Sequence, residues 1–540
     1  MLGLSDVTYL RELLKPAERA DKDERCMDGT RLTVLKQIDD WARSVETPNI
    51  LWLKATAGAD KTAIAASVLG QHRGPRFFFK RDNDYLNNPM ALWRTIAYDL
   101  ARRDAIYLSS IDKRVKEYSL DPREISVEEQ FKYLIEGPAT ECVPHSQGLP
   151  VVVVDALDEC RSDSDLSGQW EALLVTIKKW STLPRTFKLF VTSRDQRDIE
   201  HALVGVSQVI ALQTGDNVTS ETQEDIQSFL EKRLARIGEQ FGPVLPASWL
   251  GKHIVQRLTI AAQGLFIWAK VTMDYLEQDP GTLDAILDGH MDHEGNPIDK
   301  LYHNVLQHSF EGPGGKLLPA FKMVAGIIVL AKTPLILKDI HHFLSTRLGA
   351  ATIQSVIFKL KAIVPSGSLL EPLHVCHQSL PEFLLDVERS GHFAIDKVGS
   401  SEMFALACLQ HMNDEKGGLR FNICGLETSY LLNSEISNLE KRVGEAIPSS
   451  LLYSCQFWME HLRDISKTTV RRDFLPELSD FFYHKILFWF EVLSLTGAVS
   501  SAPNVLRQVA QWIGVSTAHS GQTAADHNTN RTWTVHSRIL

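Results

Sequence analysis

Between residues 49 and 215 the chain alternates short apolar runs with stretches in which apolar positions recur every three or four residues. The first pattern predicts strands and the second amphipathic helices. The predicted strands are Ile50 to Leu53, Arg76 to Lys80, Val151 to Asp155, Phe187 to Thr192 and Gln208 to Leu212. Three of these are almost continuously apolar, as strands covered on both faces must be, which predicts an α/β domain with a parallel sheet enclosed by helices. The helices between them include Lys61 to Leu69, Ala91 to Arg102 and Trp170 to Trp180.

After Thr214 the strand pattern stops and helical periodicity runs from Asp225 to about Leu306, then resumes near Lys316. Short runs at Ser366 to Leu370 and His374 to Cys376 predict a small hairpin between helices, an arrangement compatible with a winged helix. Helices return from residue 400 to 513, rich in aromatics such as Phe457, Trp458, Phe488, Trp489 and Phe490. Gly312 to Gly315 reads as a linker. The expected order is a lead-in (1–48), the α/β domain (49–215), a helical domain (216–312), a winged helix (316–390), a helical region (398–513) and a tail (515–540). That tail is polar, with too few apolar residues for a core, so disorder is expected there.

Composition narrows the function classes. At 540 residues, with 44% hydrophobic and 23% charged positions, the chain is an ordinary globular protein of several domains. Its net charge of -10 disfavours capture of nucleic acid or an anionic membrane. No apolar run reaches the roughly 18 residues of a membrane span, because Lys332 stops the run from Met323 and Glu491 interrupts the one from Ile486. No secretion signal opens the chain, and seven cysteines without a C-x-x-C pair argue against a disulfide framework or a zinc site. A reducing, cytoplasmic setting is expected.

The chemistry concentrates after the first strand, in Lys54-Ala55-Thr56-Ala57-Gly58-Ala59-Asp60-Lys61-Thr62. A Walker A loop reads G-x-x-x-x-G-K-[ST]: backbone N–H groups converge on phosphates at a helix N-terminus, the Lys adds charge, and the hydroxyl reaches Mg2+. Here the backbone of Gly58 and Ala59 with Lys61 and Thr62 can form such a loop, while Ala55 and Asp60 replace both framing glycines. Asp60 is expected to place a repelling carboxylate beside the cradle. About ninety residues on, the strand Val151 to Asp155 ends in acids, with Asp155 placed for the Mg2+ shell and Asp158 or Glu159 for orienting water. A third strand ends in Val191-Thr192-Ser193-Arg194, and Arg194 is placed to approach a γ-phosphate.

Together the loop, the V-V-V-V-D-A-L-D-E run and the V-T-S-R strand resemble a NACHT domain of the STAND class of P-loop NTPases, of the nephrocystin 3-like N-terminal type abundant in mushroom-forming fungi. Cys26-Met27-Asp28-Gly29-Thr30-Arg31, Phe77-Phe78-Phe79 and Gly264-Leu265-Phe266-Ile267-Trp268-Ala269 carry the same likeness. So does His377-Gln378-Ser379-Leu380-Pro381-Glu382-Phe383-Leu384, from which the resemblance implies that His377 contacts the ADP β-phosphate. It further implies ATP or ADP with Mg2+ as cofactor and assembly with other proteins or further copies of the chain, while Ala55 and Asp60 in place of the framing glycines lead to an expectation of weak hydrolysis or none, and the net charge to one of no nucleic acid or membrane. Relatives commonly carry an upstream signalling domain and a downstream repeat sensor, neither of which is expected in this chain. Three readings stay open: a nucleotide-dependent switch, a scaffold that has lost nucleotide, and an NTPase with real turnover.

Overall fold

The computed structural model describes residues 4–520 apart from 18–23, 82, 84, 143–149, 161–166, 243–244, 246–248, 250, 289–295, 311–316, 366–370, 429, 464 and 466–473. Five strands, β1 (Ile50–Lys54), β2 (Arg76–Phe78), β3 (Val152–Asp155), β4 (Leu189–Ser193) and β5 (Ser207–Ala211), form one sheet in the order β2-β3-β4-β1-β5. Every pairing in it is parallel. All five predicted strands are present, each within three residues of its expected limits.

The continuous apolar runs have a simple cause. Side chains alternate across a strand, so Ile50 and Trp52, Val152 and Val154, and Leu189 and Val191 enter one core. Leu51 and Leu53, Val151 and Val153, and Phe190 enter the core on the opposite face. Polar tips inside the larger core are bonded: Trp52 Nε1 donates to Ser193 Oγ at 2.8 Å and Trp93 Nε1 to Thr176 Oγ1 at 2.9 Å. A polar residue at Val152, Val153 or Val154 would lose its solvation with no partner to replace it.

The chain divides into two compact units. The first comprises residues 1–304 together with His377–Ser379. It includes the segment ahead of the sheet, because Leu10 and Leu14 of the Leu4–Leu14 helix are fully buried in the larger core. Behind the sheet come the helices Ser220–Phe241, Lys252–Ala262 and Phe266–Leu276, which pack on one another.

The second unit, residues 305–376 and 380 onward, is helical. Its centre is the Lys397–Asn413 helix against Ser449–Arg463, with Leu318–Leu330 alongside. Trp458 and Trp489 are buried there, and Trp489 Nε1 donates to the Cys455 carbonyl at 2.8 Å. Of the expected hairpin, His374 to Cys376 forms no strand and Ser366 to Leu370 lies outside the described residues, as does the Gly312 to Gly315 linker; nearby an isolated antiparallel bridge joins Ile336 to Pro372. The last helix, Ala502–Ser520, continues beyond the tail boundary expected near Val515, and residues 521–540 lie outside the described ones. Among the described residues no helix is long and apolar enough to cross a membrane.

Candidate functional site

Parallel pairing gathers the ends of β1, β3 and β4 at one edge of the sheet, the edge where α/β folds place ligands. The loop from Ala55 to Asp60 joins β1 to the Lys61–His72 helix, whose N-terminus presents the free amides that suit an anion. Two loop residues have left-handed backbones, Gly58 at φ 80° and Asp60 at φ 73°. A Cβ on Gly58 would lie 2.2 Å from Ile267 Cγ2. The loop is also pinned there, since the Ile267 amide donates to the Gly58 carbonyl at 3.1 Å. Lys61 Nζ donates to the carbonyls of Ala55 at 3.0 Å and Thr56 at 2.9 Å. Burial lowers the Lys61 pKa, while the charges of Asp158, Asp155 and Glu159 oppose that shift.

The acids at the end of β3 are held by specific donors. Asp155, almost fully buried, accepts from Thr62 Oγ1 at 2.8 Å and from Thr192 Oγ1 at 2.5 Å. Asp158 accepts from the Arg194 amide at 2.9 Å and pairs with Arg194 Nε at 3.1 Å. Glu159 accepts from the Arg81 amide at 3.3 Å, and burial, then the Asp158 charge, pushes its carboxyl up to about 7. His377 Nδ1 lies 2.9 Å from Ser379 Oγ, which in turn lies 2.9 Å from the Tyr302 hydroxyl. Burial first, then the positive charges of Lys61 and Arg194, pushes the His377 imidazole down to about 3. The structure thus assembles Lys61, Thr62, Asp155, Asp158, Glu159, Arg194 and His377 in one unit.

The donor chemistry fits Mg2+ and a phosphate. Thr62 and Asp155 present hard oxygens 2.8 Å apart beside a lysine, and Mg2+ characteristically takes one or two protein oxygens and completes its shell with water and phosphate. Among the described residues no group of three or more His, Cys, Asp or Glu side chains forms an all-protein metal site.

Among the charges that act most on the Asp60 carboxyl, Arg31 and Lys270 lower its pKa while Glu24 and Asp225 raise it. Burial pushes the Asp60 carboxyl up to about 6, with Arg31 and then Lys270 opposing. Its backbone is left-handed at this helix N-cap, and its side chain makes no capping bond to the helix. Aspartate tolerates that conformation better than most residues.

Arg31 is the residue that motif reading missed. Its Nη2 donates to the Ala59 carbonyl at 3.0 Å and its Nη1 to Thr222 Oγ1 at 3.2 Å, while its amide donates to Asp225 Oδ2 at 3.0 Å. Its guanidinium carbon lies 4.6 Å from the centre of the Phe266 ring. The only signal in the sequence was its place at the end of the Cys26 to Arg31 segment.

Residues 29–194, from just before Arg31 to the Arg194 that pairs with Asp158, match the family model described as Nephrocystin 3, N-terminal. In this stretch the chain is similar to the NACHT-type STAND P-loop NTPases. The chain is 23% identical over 552 residues to the vegetative incompatibility protein HET-E-1 of Podospora anserina. The match covers 92% of the chain and 39% of that protein, so the chain spans about two fifths of the length of this relative. Among solved structures, a STAND protein with a tetratricopeptide repeat sensor from Pyrococcus horikoshii is 13% identical, with 93% of this chain and 65% of that one covered and a TM-score of 0.38. The Walker-type ATPase of Pyrococcus abyssi is 12% identical, with 67% and 98% covered and a TM-score of 0.33.

Proposed function

We propose that the chain is a nucleotide-dependent signalling switch in which an ATP or ADP state, with Mg2+, controls closure and assembly, and in which hydrolysis is weak or absent. The observation that carries this reading is the geometry after β1, where Lys61 and Thr62 open the helix and Thr62 Oγ1 donates to Asp155 at 2.8 Å, with Arg194 paired to Asp158 alongside.

In this reading the amides after Gly58 hold phosphate and Lys61 leaves the Ala55 and Thr56 carbonyls to neutralise it. Thr62 and Asp155 hold the metal, which neutralises phosphate charge when bound. Asp158 keeps Arg194 poised to sense a γ-phosphate. Glu159, with its raised affinity for a proton, positions water poorly at neutral pH, which supports slow turnover. His377 stays neutral and reads the closed state through the hydrogen bond that its Nδ1 shares with Ser379. The working partners are other proteins, including further copies of the chain, in the cytoplasm.

The commitment of Lys61 to its own loop favours a second reading, a scaffold that no longer takes nucleotide. Nucleotide released on denaturing the purified protein separates the two. Near-stoichiometric ADP in the unmodified chain, lost in Lys61→Ala, supports the switch. Empty protein that fills only when Asp60→Gly is introduced supports the scaffold.

A further inference from the structure

Two buried hydroxyls stand behind His377. Ser379, 3% exposed, is the first residue of the Ser379–Leu385 helix, and Tyr302, fully buried, comes from the Pro297–Phe310 helix. The hydrogens of these groups can be placed one at a time. The Ser379 backbone amide donates to His377 Nδ1 at 3.1 Å, so Nδ1 carries a lone pair and no hydrogen. Ser379 Oγ lies 2.9 Å from the same Nδ1, and two lone pairs would repel at that distance, so the hydroxyl hydrogen lies between them. With its hydrogen committed there, Ser379 Oγ accepts in its 2.9 Å contact with the Tyr302 hydroxyl. Donation therefore runs from Tyr302 to Ser379 to His377 Nδ1, and the ring hydrogen of the imidazole is on Nε2. An imidazolium would set a second hydrogen, on Nδ1, against the Ser379 amide.

We infer that Ser379 and Tyr302 are positioning residues that hold His377 as the neutral Nε2–H tautomer, so that the ring offers an N–H donor to an oxyanion and no lone pair to a metal ion. The oxyanion is the terminal phosphate of a bound nucleoside diphosphate, which rests on the nucleotide-binding reading, whereas the placement of the hydrogens does not. A ring free to exchange tautomers would turn a lone pair toward the phosphate part of the time, and that repels. Both hydroxyls act through the imidazole, and neither has to touch the nucleotide.

The test uses the full chain labelled with nitrogen-15 histidine, with the His377 signals assigned by their loss in His377→Ala. Couplings to the hydrogens of the ring carbons should place the N–H on Nε2 and leave Nδ1 bare. Ser379→Ala, which removes one of the two donors to Nδ1, should move the Nδ1 resonance further from that of Nε2, and Tyr302→Phe should move it the same way by less. A hydrogen on Nδ1, or an Nδ1 resonance that stays in place in both variants, overturns the inference. ADP affinity is measured in the same variants, with Lys61→Ala as the nucleotide control. Ser379→Ala and Tyr302→Phe should each weaken ADP by about three- to tenfold, the loss of one hydrogen bond. In the His377→Ala background each should change it by less than about twofold. Equal effects in both backgrounds mean that the hydroxyls serve only the fold, and that result also overturns the inference, as does ADP affinity unchanged by His377→Ala. If ADP binds the unmodified chain no better than the Lys61→Ala variant, the nucleotide reading fails, while the ring nitrogens still decide for or against Ser379 and Tyr302.

Discussion

Gly58→Ala is the sharpest probe of the loop geometry, because the structure supplies two separate costs. The first is the left-handed backbone: at φ 80° any Cβ is strained, by about 1–2 kcal/mol for an L-residue. The second is space, since the added carbon would sit 2.2 Å from Ile267 Cγ2 and 3.2 Å from its Cβ. Ile267 cannot easily yield: it is β-branched, buried, and its own amide is bonded to the Gly58 carbonyl. Overpacking of this kind costs about 1–3 kcal/mol, so the loop should lose about 2–5 kcal/mol in all. Hydrogen exchange of amides in 55–72 reads the local opening directly. With a factor of ten for every ~1.4 kcal/mol, exchange should accelerate by about thirtyfold to a few thousandfold. Ile267→Ala in the same chain should return the part due to crowding and leave the backbone part. Exchange within twofold of the unmodified protein, or no relief from Ile267→Ala, would refute this reasoning.

Three further outcomes follow from the acid and histidine environments. Arg194→Ala leaves the buried Asp158 carboxylate without its side-chain partner and should destabilise the unit by on the order of 3 kcal/mol; Asp158→Asn should recover much of that loss in urea unfolding. His377 has a folded pKa lowered from 6.5 to about 3, so its contribution to stability is complete above pH 6.5 and is lost as pH falls toward 3. Between pH 6.5 and 4.5 the unmodified chain should therefore lose more stability than His377→Asn, by up to ~1.4 kcal/mol per pH unit, and parallel curves would count against the assigned burial. Glu159 has the opposite sign: raised from 4.5 to about 7, its contribution is complete below pH 4.5 and is lost as pH rises through 7. Glu159→Gln should thus stabilise the protein above pH 7 with little effect near pH 4.5, as urea midpoints across that range would show.

The parts of the site that were legible in the sequence are those fixed by short-range rules. A strand of three consecutive β-branched residues ending at Asp155 could hardly be anything but a central strand, and its C-terminal end sets where Asp155 and Asp158 stand. Once β4 lies between β1 and β3, the residues after Lys54, Asp155 and Ser193 become neighbours. Lys61, Thr62 and Arg194 therefore meet the acids by topology. Strand ends were less legible because they depend on sheet partners. β2 ends at Phe78, although the Phe79 amide still donates to the Asp155 carbonyl at 3.0 Å.

What the sequence hid was long-range and conformational. No periodicity connects Arg31 to Ala59 or to Asp225, 194 residues away, yet the three are joined by bonds of 3.0 Å. Nor can a motif say which backbone a letter adopts. Read as a string, the loop has lost a glycine and gained an anion. Read as a structure, the same φ that a glycine would supply is adopted by the aspartate, and burial raises its carboxyl to about 6, with Arg31 and then Lys270 opposing. A loop motif tests backbone freedom and charge at the same letter, but the two are separable. At position 60 the freedom is kept at the modest strain that aspartate bears in the left-handed region, and burial shifts its carboxyl toward the neutral form. Substitutions in such loops are best judged by the residues that face the new side chain before they are counted as losses.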